Sequence, residues 1–302
     1  MIAALNREFG IEDRVVFERG DGGLTRAVIT HARATATVYL HGAHVTAFAP
    51  RDASPVLWLS PRALFRDDAA IRGGVPVCWP WFGRHPSDPE KPPHGFARRM
   101  PWRVAGTDML EGGAIRVRLA IEDDDATRAL WPCRFDAEVA ITVGDQLSIA
   151  LTCCNRGSEP FESGGALHTY LAVADIARTR VSGLDGCDYL DQLAGRARRR
   201  QHGPVEFAGN VDRIYLDPRG ACIVDDGTRS ITVRSRGSAS TVVWNPGAKK
   251  AAAMDDVPDD GYRSMVCVEA ANAGGDERRV EPGDTHTLAQ TISVTAVNGS
   301  VV

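Results

Sequence analysis

Six side chains in this sequence are of types, and in settings, that could do chemistry. His168 sits in the apolar run Ala166-Leu167-His168-Thr169-Tyr170-Leu171. An imidazole there either satisfies the core or gives and takes protons near neutral pH. Glu269 sits in Met265-Val266-Cys267-Val268-Glu269-Ala270-Ala271-Asn272. Desolvation penalises a carboxylate on an apolar strand, so such a residue is either paired or used. Arg72 precedes Gly73-Gly74, a fixed cation beside a segment that backbone can approach closely, suited to an anion or to an ion pair. Arg98 ends His94-Gly95-Phe96-Ala97-Arg98, and its guanidinium fork matches phosphate oxygens or a neighbouring acid. His94 could donate to a ligand hydroxyl. Asp212, in Gly209-Asn210-Val211-Asp212-Arg213, is either a turn residue or an acceptor for hydroxyls.

The elements that must hold these residues read as β-strands. Short β-branched runs bounded by Gly, Asp, Asn and Pro recur over 34–39, 114–121, 135–143, 146–153, 221–224, 230–234, 241–244, 265–269 and 291–297. Ile115-Arg116-Val117-Arg118-Leu119 alternates as a half-buried strand does. Many closely spaced strands predict an all-β sandwich with few short helices, and the lack of a βαβ rhythm argues against a parallel nucleotide-binding sheet. The last strand is expected to end near Val297, with a short tail after it. The proline-rich stretch 76–101 carries Trp79, Trp81, Phe82 and Phe96, so it reads as an ordered loop, with Trp79 and Trp81 flooring a pocket or filling core. Arg196–Arg200 reads as a solvated surface segment. No linker or fixed-period repeat interrupts the chain, which is expected to form one domain over residues 1–302.

The bulk composition narrows the function classes. The 302 residues are 43% apolar and 25% charged, near globular averages, and the formal net charge of −4 argues against a nucleic-acid partner. Seven cysteines without CxxC spacing, two of them adjacent at Cys153-Cys154, suggest thiols in a reducing cytoplasm rather than disulfides or zinc. The first residues carry charge early and contain no long apolar run, so they resemble neither a signal peptide nor a membrane span.

Taken together, the motifs resemble the aldose 1-epimerase superfamily, and within it the hexose-6-phosphate mutarotase group. The resemblance runs from about Thr30 to the C-terminus and rests on IRGGVPVCWPWFG (71–83), HGFAR (94–98), LHTYL (167–171), DRIY (212–215), WNPG (244–247) and DDGYRSMVCVEAAN (259–272). It implies a galactose-mutarotase-like β-sandwich with an open cleft on a concave face. It also implies anomer interconversion of a hexose 6-phosphate, with no cofactor, no metal, no membrane and a monomeric state. His168 would be the general acid for the ring oxygen and Glu269 the general base for the anomeric hydroxyl, placed on opposite sides of the pyranose. Asp212 would bind sugar hydroxyls, Arg72 and Arg98 would hold the substrate and its phosphate, and His94 would line the same site.

One feature departs from the group. Some members carry a polar side chain just before the HGFAR histidine, where this chain has Pro93. A contact made by that side chain would be missing, with Arg84, His85 or Lys91 as candidates to replace it. Two alternatives therefore stand beside the main expectation: an aldose 1-epimerase acting on unphosphorylated sugars, and a non-catalytic sugar-phosphate binding protein. A glycoside hydrolase is disfavoured, because the motifs offer one Glu and one His rather than two carboxylates.

Overall fold

The computed structural model describes residues 1–296 of the chain. Its backbone is almost entirely antiparallel β-structure, with α-helices only at Ile2–Phe9, Asp125–Leu130 and Gly247–Ala251 among the described residues. Two large sheets, each of eight strands, and a four-stranded sheet from the first strands carry the architecture. The expected strands are present: Ala34–Tyr39 and Phe135–Val143 match residue for residue, and most others are shifted or extended by one to three residues. The last differs most, beginning at Thr285, earlier than expected, and running to Ala296. Its expected end at Val297 and the tail after it lie outside the described residues.

Alternation and burial agree where a strand has one wet face. In Phe135–Val143, every second side chain (Phe135, Ala137, Val139, Ile141, Val143) is buried in the core, and the intervening ones are half-exposed. That strand belongs to the sheet ordered Arg180–Ser182, Cys222–Asp225, Arg229–Arg236, Thr285–Ala296, Leu147–Asn155, Phe135–Val143, Ile115–Glu122 and Arg103–Met109. The facing sheet runs Ala197–Arg200, Asp188–Asp191, Val211–Leu216, Ser240–Asn245, Met265–Asn272, Gly165–Leu167 and Val77–Cys78, and Tyr170–Ala172 also pairs with Met265–Asn272.

Within this second sheet, Met265–Asn272 is buried at all eight positions, so no alternation marks it in the sequence. Its two faces nevertheless do different things. Val266, Val268 and Ala270 point into the core shared with the opposite sheet. Met265, Cys267 and Ala271 belong to a separate apolar cluster with Trp58, Tyr170, Val242 and Trp244 on the other face. Side chains two apart on a strand share a face, so Glu269 emerges on that second side.

A buried glutamine ties the two sheets together. Gln290, on the last described strand, donates from its amide to Val268 O at 3.0 Å and accepts from the Thr169 hydroxyl. Both partners adjoin the residues of interest, Thr169 following His168 and Val268 preceding Glu269. Replacing Gln290 with Leu removes both bonds; the Thr169 hydroxyl keeps Leu167 O at 3.2 Å, whereas Val268 O loses its side-chain donor in the interior. The expected cost is about 1–3 kcal/mol, read as a lower denaturant midpoint with an unchanged slope.

Candidate active site

The second sheet's outer face forms the floor of a cleft of about 690 Å³, within the usual range of roughly 300–1,000 Å³ for small-molecule sites. Its position follows from strand register. Asp212 pairs with Trp244, Trp244 with Cys267 and Cys267 with Tyr170, while the neighbouring row sets Ile214 beside Val242 and Val242 beside Glu269. His168 lies where the strand through Gly165–Leu167 breaks before resuming at Tyr170. In that break Thr169 N donates to Leu167 O at 2.8 Å. The imidazole stacks on the Tyr170 ring, with centroids 4.9 Å apart at an interplanar angle of 11°, and meets Trp244 edge-on at 5.9 Å.

His168 Nδ1 stands 3.4 Å from Glu269 Oε1. Neither Nδ1 nor either carboxylate oxygen of Glu269 makes a hydrogen bond to the protein, although Glu269 is only 1% exposed. Burial holds the His168 imidazolium well below its usual pKa range, with neighbouring His94 and the charges of Arg98 and Arg72 acting in the same direction. Burial and the nearby Asp212 push the Glu269 carboxyl well above its usual range, against the opposing pull of Arg98. Both shifts favour the uncharged form of each group. The close approach also corrects the expectation of an acid and a base on opposite sides of a sugar ring. At 3.4 Å no ring fits between them, and both groups face the cleft from one side.

Of the six residues singled out in the sequence, five line this cleft: Arg72, His94, His168, Asp212 and Glu269. Arg72 is held from two directions, its Nε donating to Asp256 Oδ2 at 3.0 Å and its Nη1 to the Tyr170 hydroxyl at 3.0 Å. Both earlier readings of this arginine are therefore realised, an ion pair and a cleft residue. Gly74 makes that placement possible: its φ is +60°, and a Cβ there would stand 2.2 Å from Val45 O. Its N–H donates to Trp58 O at 2.7 Å, which threads the Arg72 segment between neighbouring strands. His94, at φ +64°, leads into Gly95, where a Cβ would meet Trp79 O at 2.0 Å. The His94 Nδ1 accepts from Gly83 N at 3.4 Å, leaving Nε2 as the nitrogen that donates. Asp212 lies on a strand, not a turn, with Lys250 Nζ 3.9 Å from its carboxylate.

Arg98 departs from its expected place. It is not part of the cleft wall; its Nη2 donates to Pro93 O at 2.8 Å, and its Nε is buried without a partner. Its charge still acts on the site, lowering the pKa values of His94, His168 and Glu269 from behind. Trp79 and Trp81 fill core rather than floor the cleft, Trp79 packing edge-on against Phe96, Trp131 and Phe135. The arginine-rich segment divides: Ala197–Arg200 is exposed along an edge strand, as expected, but Arg196 lines the cleft.

Arg84, one of the candidates to replace the contact missing at Pro93, lines the cleft, whereas His85 and Lys91 do not. Other cleft residues escaped the sequence reading. Tyr170 had a signal, since it lies two residues from His168 and so on its face. Trp244, Lys250 and Arg196 had none that did not require knowing which strands and loops meet. All seven cysteines are free thiols, Cys153 and Cys154 included. Among the described residues, no helix is long and apolar enough to cross a membrane.

The fold that carries this cleft has counterparts among known proteins. A model of the aldose 1-epimerase family matches residues 25–293, and the chain belongs to that family. More particularly, it is 36% identical over 270 residues to a protein of Salmonella typhimurium provisionally named glucose-6-phosphate 1-epimerase, covering 88% of this chain and 89% of that one. A provisionally assigned mutarotase of known structure from the same organism superposes with a TM-score of 0.87 at 33% identity, over 94% of both chains. A galactose mutarotase-like protein from Clostridium acetobutylicum, 10% identical with a TM-score of 0.73 over 94% and 98% of the two chains, shares the fold.

The Arg72 segment offers a direct check on this geometry. Gly74→Ala is expected to lose about 1–3 kcal/mol from the positive φ alone, with the clash at Val45 O in addition. Thermal unfolding at a lower midpoint, together with weakened sugar binding, is the expected result.

Proposed function

We propose that this chain interconverts the α and β anomers of a hexose 6-phosphate by acid–base ring opening and closure. One observation carries the reading: His168 and Glu269 stand 3.4 Å apart at the floor of a sugar-sized cleft, buried and without protein partners. Mutarotation needs two proton movements at one carbon. The C1 hydroxyl loses a proton as the carbonyl forms, and the ring oxygen gains one as its bond to C1 breaks. Both oxygens are attached to C1, so a side-by-side pair reaches them from one face. Glu269 accepts the hydroxyl proton while protonated His168 delivers its own to the ring oxygen. Burial favours the uncharged pair at rest, so the reactive imidazolium–carboxylate form arises by transfer of the Glu269 proton to His168 across 3.4 Å. The step then returns the pair to imidazole and carboxylic acid, with its proton count conserved. After rotation by half a turn about C1–C2, the same steps run backwards on the other face of the carbonyl.

The remaining residues bind. Asp212 accepts from sugar hydroxyls and His94 donates through Nε2, while Tyr170 and Trp244 form the aromatic wall that sets the imidazole plane. Arg72, Arg84, Arg196 and Lys250 line the cleft and make its rim cationic, which suits a phosphate anchored away from C1. Arg98 serves as a fixed positive charge and as the anchor of the loop before His94.

His168→Ala and Glu269→Gln are each expected to lower kcat by roughly 10²–10⁴-fold while leaving the fold intact. Anomer exchange followed by NMR measures this, and near-normal exchange in either variant removes the assignment.

An epimerase for unphosphorylated sugars is the second reading, favoured by Arg98 turning to Pro93 O instead of entering the cleft. Comparing glucose 6-phosphate with free glucose separates the two. Loss of a charged contact in Arg196→Ala should raise KM for the phosphorylated sugar by about tenfold and hardly alter that for glucose. Equal KM changes for both sugars would point to the unphosphorylated substrate.

A further inference from the structure

Beside the two cleft residues His168 and Glu269, and buried beneath the cleft surface, lies a third donor that the acid–base chemistry does not use. Cys267 lies two residues before Glu269 on the same strand, so both side chains leave the same face of the sheet. Strand pairing sets Cys267 opposite Tyr170, itself two residues past His168. As a result a ring nitrogen of His168, the Cys267 sulfur and a carboxylate oxygen of Glu269 all lie within 4.8 Å of one another. Cys267 is a free thiol, fully buried. His168 Nδ1 and both Glu269 oxygens are buried with no hydrogen-bond partner, so their lone pairs are uncommitted.

We propose that His168, Cys267 and Glu269 form a binding site for a thiophilic divalent cation of the Zn²⁺ class, and that its occupation inhibits the enzyme. Imidazole, thiolate and carboxylate are the ligands Zn²⁺ takes, at bond lengths of about 2.0–2.3 Å. Around a tetrahedral ion with such bonds the donor atoms stand about 3.3–3.8 Å apart. The His168–Glu269 pair already meets that spacing at 3.4 Å. The sulfur must close in by up to about 1 Å for the same bond lengths, a movement within reach of a χ1 adjustment. The soft sulfur discriminates against Mg²⁺ and Ca²⁺, which take oxygen ligands. On binding, the thiol proton and the carboxyl proton that burial favours on Glu269 leave to solvent, and the freed sulfur and oxygen lone pairs go to the metal. His168 and Glu269 line the cleft, so the fourth coordination position opens toward it.

Local charge makes this an inhibitory site rather than a structural one. Asp212 adds a negative charge in the same cleft, and Asp256 offsets Arg72 at 3.0 Å. Arg98, acting on Glu269, and Arg84, Arg196 and Lys250 on the rim, the last 3.9 Å from Asp212, remain as positive charges that weaken cation binding. A metal on these ligands takes the lone pairs that proton transfer needs, so the bound form is inactive.

Only the inhibition arm of the test rests on the mutarotase reading. Co²⁺ added to the full-length protein is expected to give a thiolate-to-metal charge-transfer absorption that Zn²⁺ abolishes by displacement and that Cys267→Ser and Cys267→Ala both lack. Zn²⁺ is expected to inhibit anomer exchange reversibly, with a chelator restoring the rate. Measured against each variant's own metal-free rate, Cys267→Ser should need at least about tenfold more Zn²⁺ for half-inhibition. A wild-type protein without the cobalt band, or equal zinc sensitivity in wild type and both variants, overturns the proposal. A cobalt band in a protein that exchanges no anomers supports the metal site and rejects the mutarotase assignment instead.

Discussion

The feature on which the rest of this structure depends is an unpaired carboxyl group in the middle of a sheet. Glu269 is buried on a strand whose eight positions are all buried, and neither of its oxygens is satisfied by the protein. Such a group is unfavourable in a folded chain, and the surrounding residues hold it in place. Val266, Val268 and Ala270 fix the strand from beneath by packing into the core, and Gln290 bonds to the carbonyl just before the glutamate. Through Thr169 the same glutamine also holds the chain just after His168. The two proton-handling side chains thus project from one side of a layer that is secured from the other.

Fixed charges around the pair follow a similar division. Arg72 is committed to Asp256 and Tyr170 before any ligand arrives, so it presents a cation already oriented. Arg98 lies behind the wall and acts through its field rather than by contact. A side chain whose orientation is set by the fold loses little freedom on binding, which is how modest chemistry becomes efficient in a rigid site. The positive φ of Gly74 and the tight packing of Gly95 against Trp79 O serve that same rigidity.

Much of the fold was legible in the sequence because a strand with one wet face alternates. Phe135–Val143 shows this period directly. Glu269 was legible for a different reason, a charged residue inside an apolar run. His168 and Arg72 remained ambiguous until their motifs were seen together. What stayed hidden depends on which segments meet in space. Trp79 and Trp81 were open to either a pocket floor or core, and the chain after Val77–Cys78 carries both into the core. Arg196 looks like the start of a solvated run, yet the turn before the edge strand brings it to the cleft. Arg98 was expected among the substrate contacts, and only the backbone path of its own loop shows that Pro93 O takes its guanidinium. No local pattern records the pairing that sets Trp244 beside Asp212.

The strand at the outer margin of the cleft-bearing sheet, Ala197–Arg200, is exposed at every residue and carries three consecutive arginines. Arg198 and Arg200 both reach back to Asp188 on the neighbouring strand. An open margin of a β-sheet offers unpaired backbone groups to any other extended chain, and clustered positive charge makes a second copy of itself a poor match. In a protein built almost wholly of strands, an edge lined by charged side chains is a poor template for sheet-to-sheet joining beside the cleft.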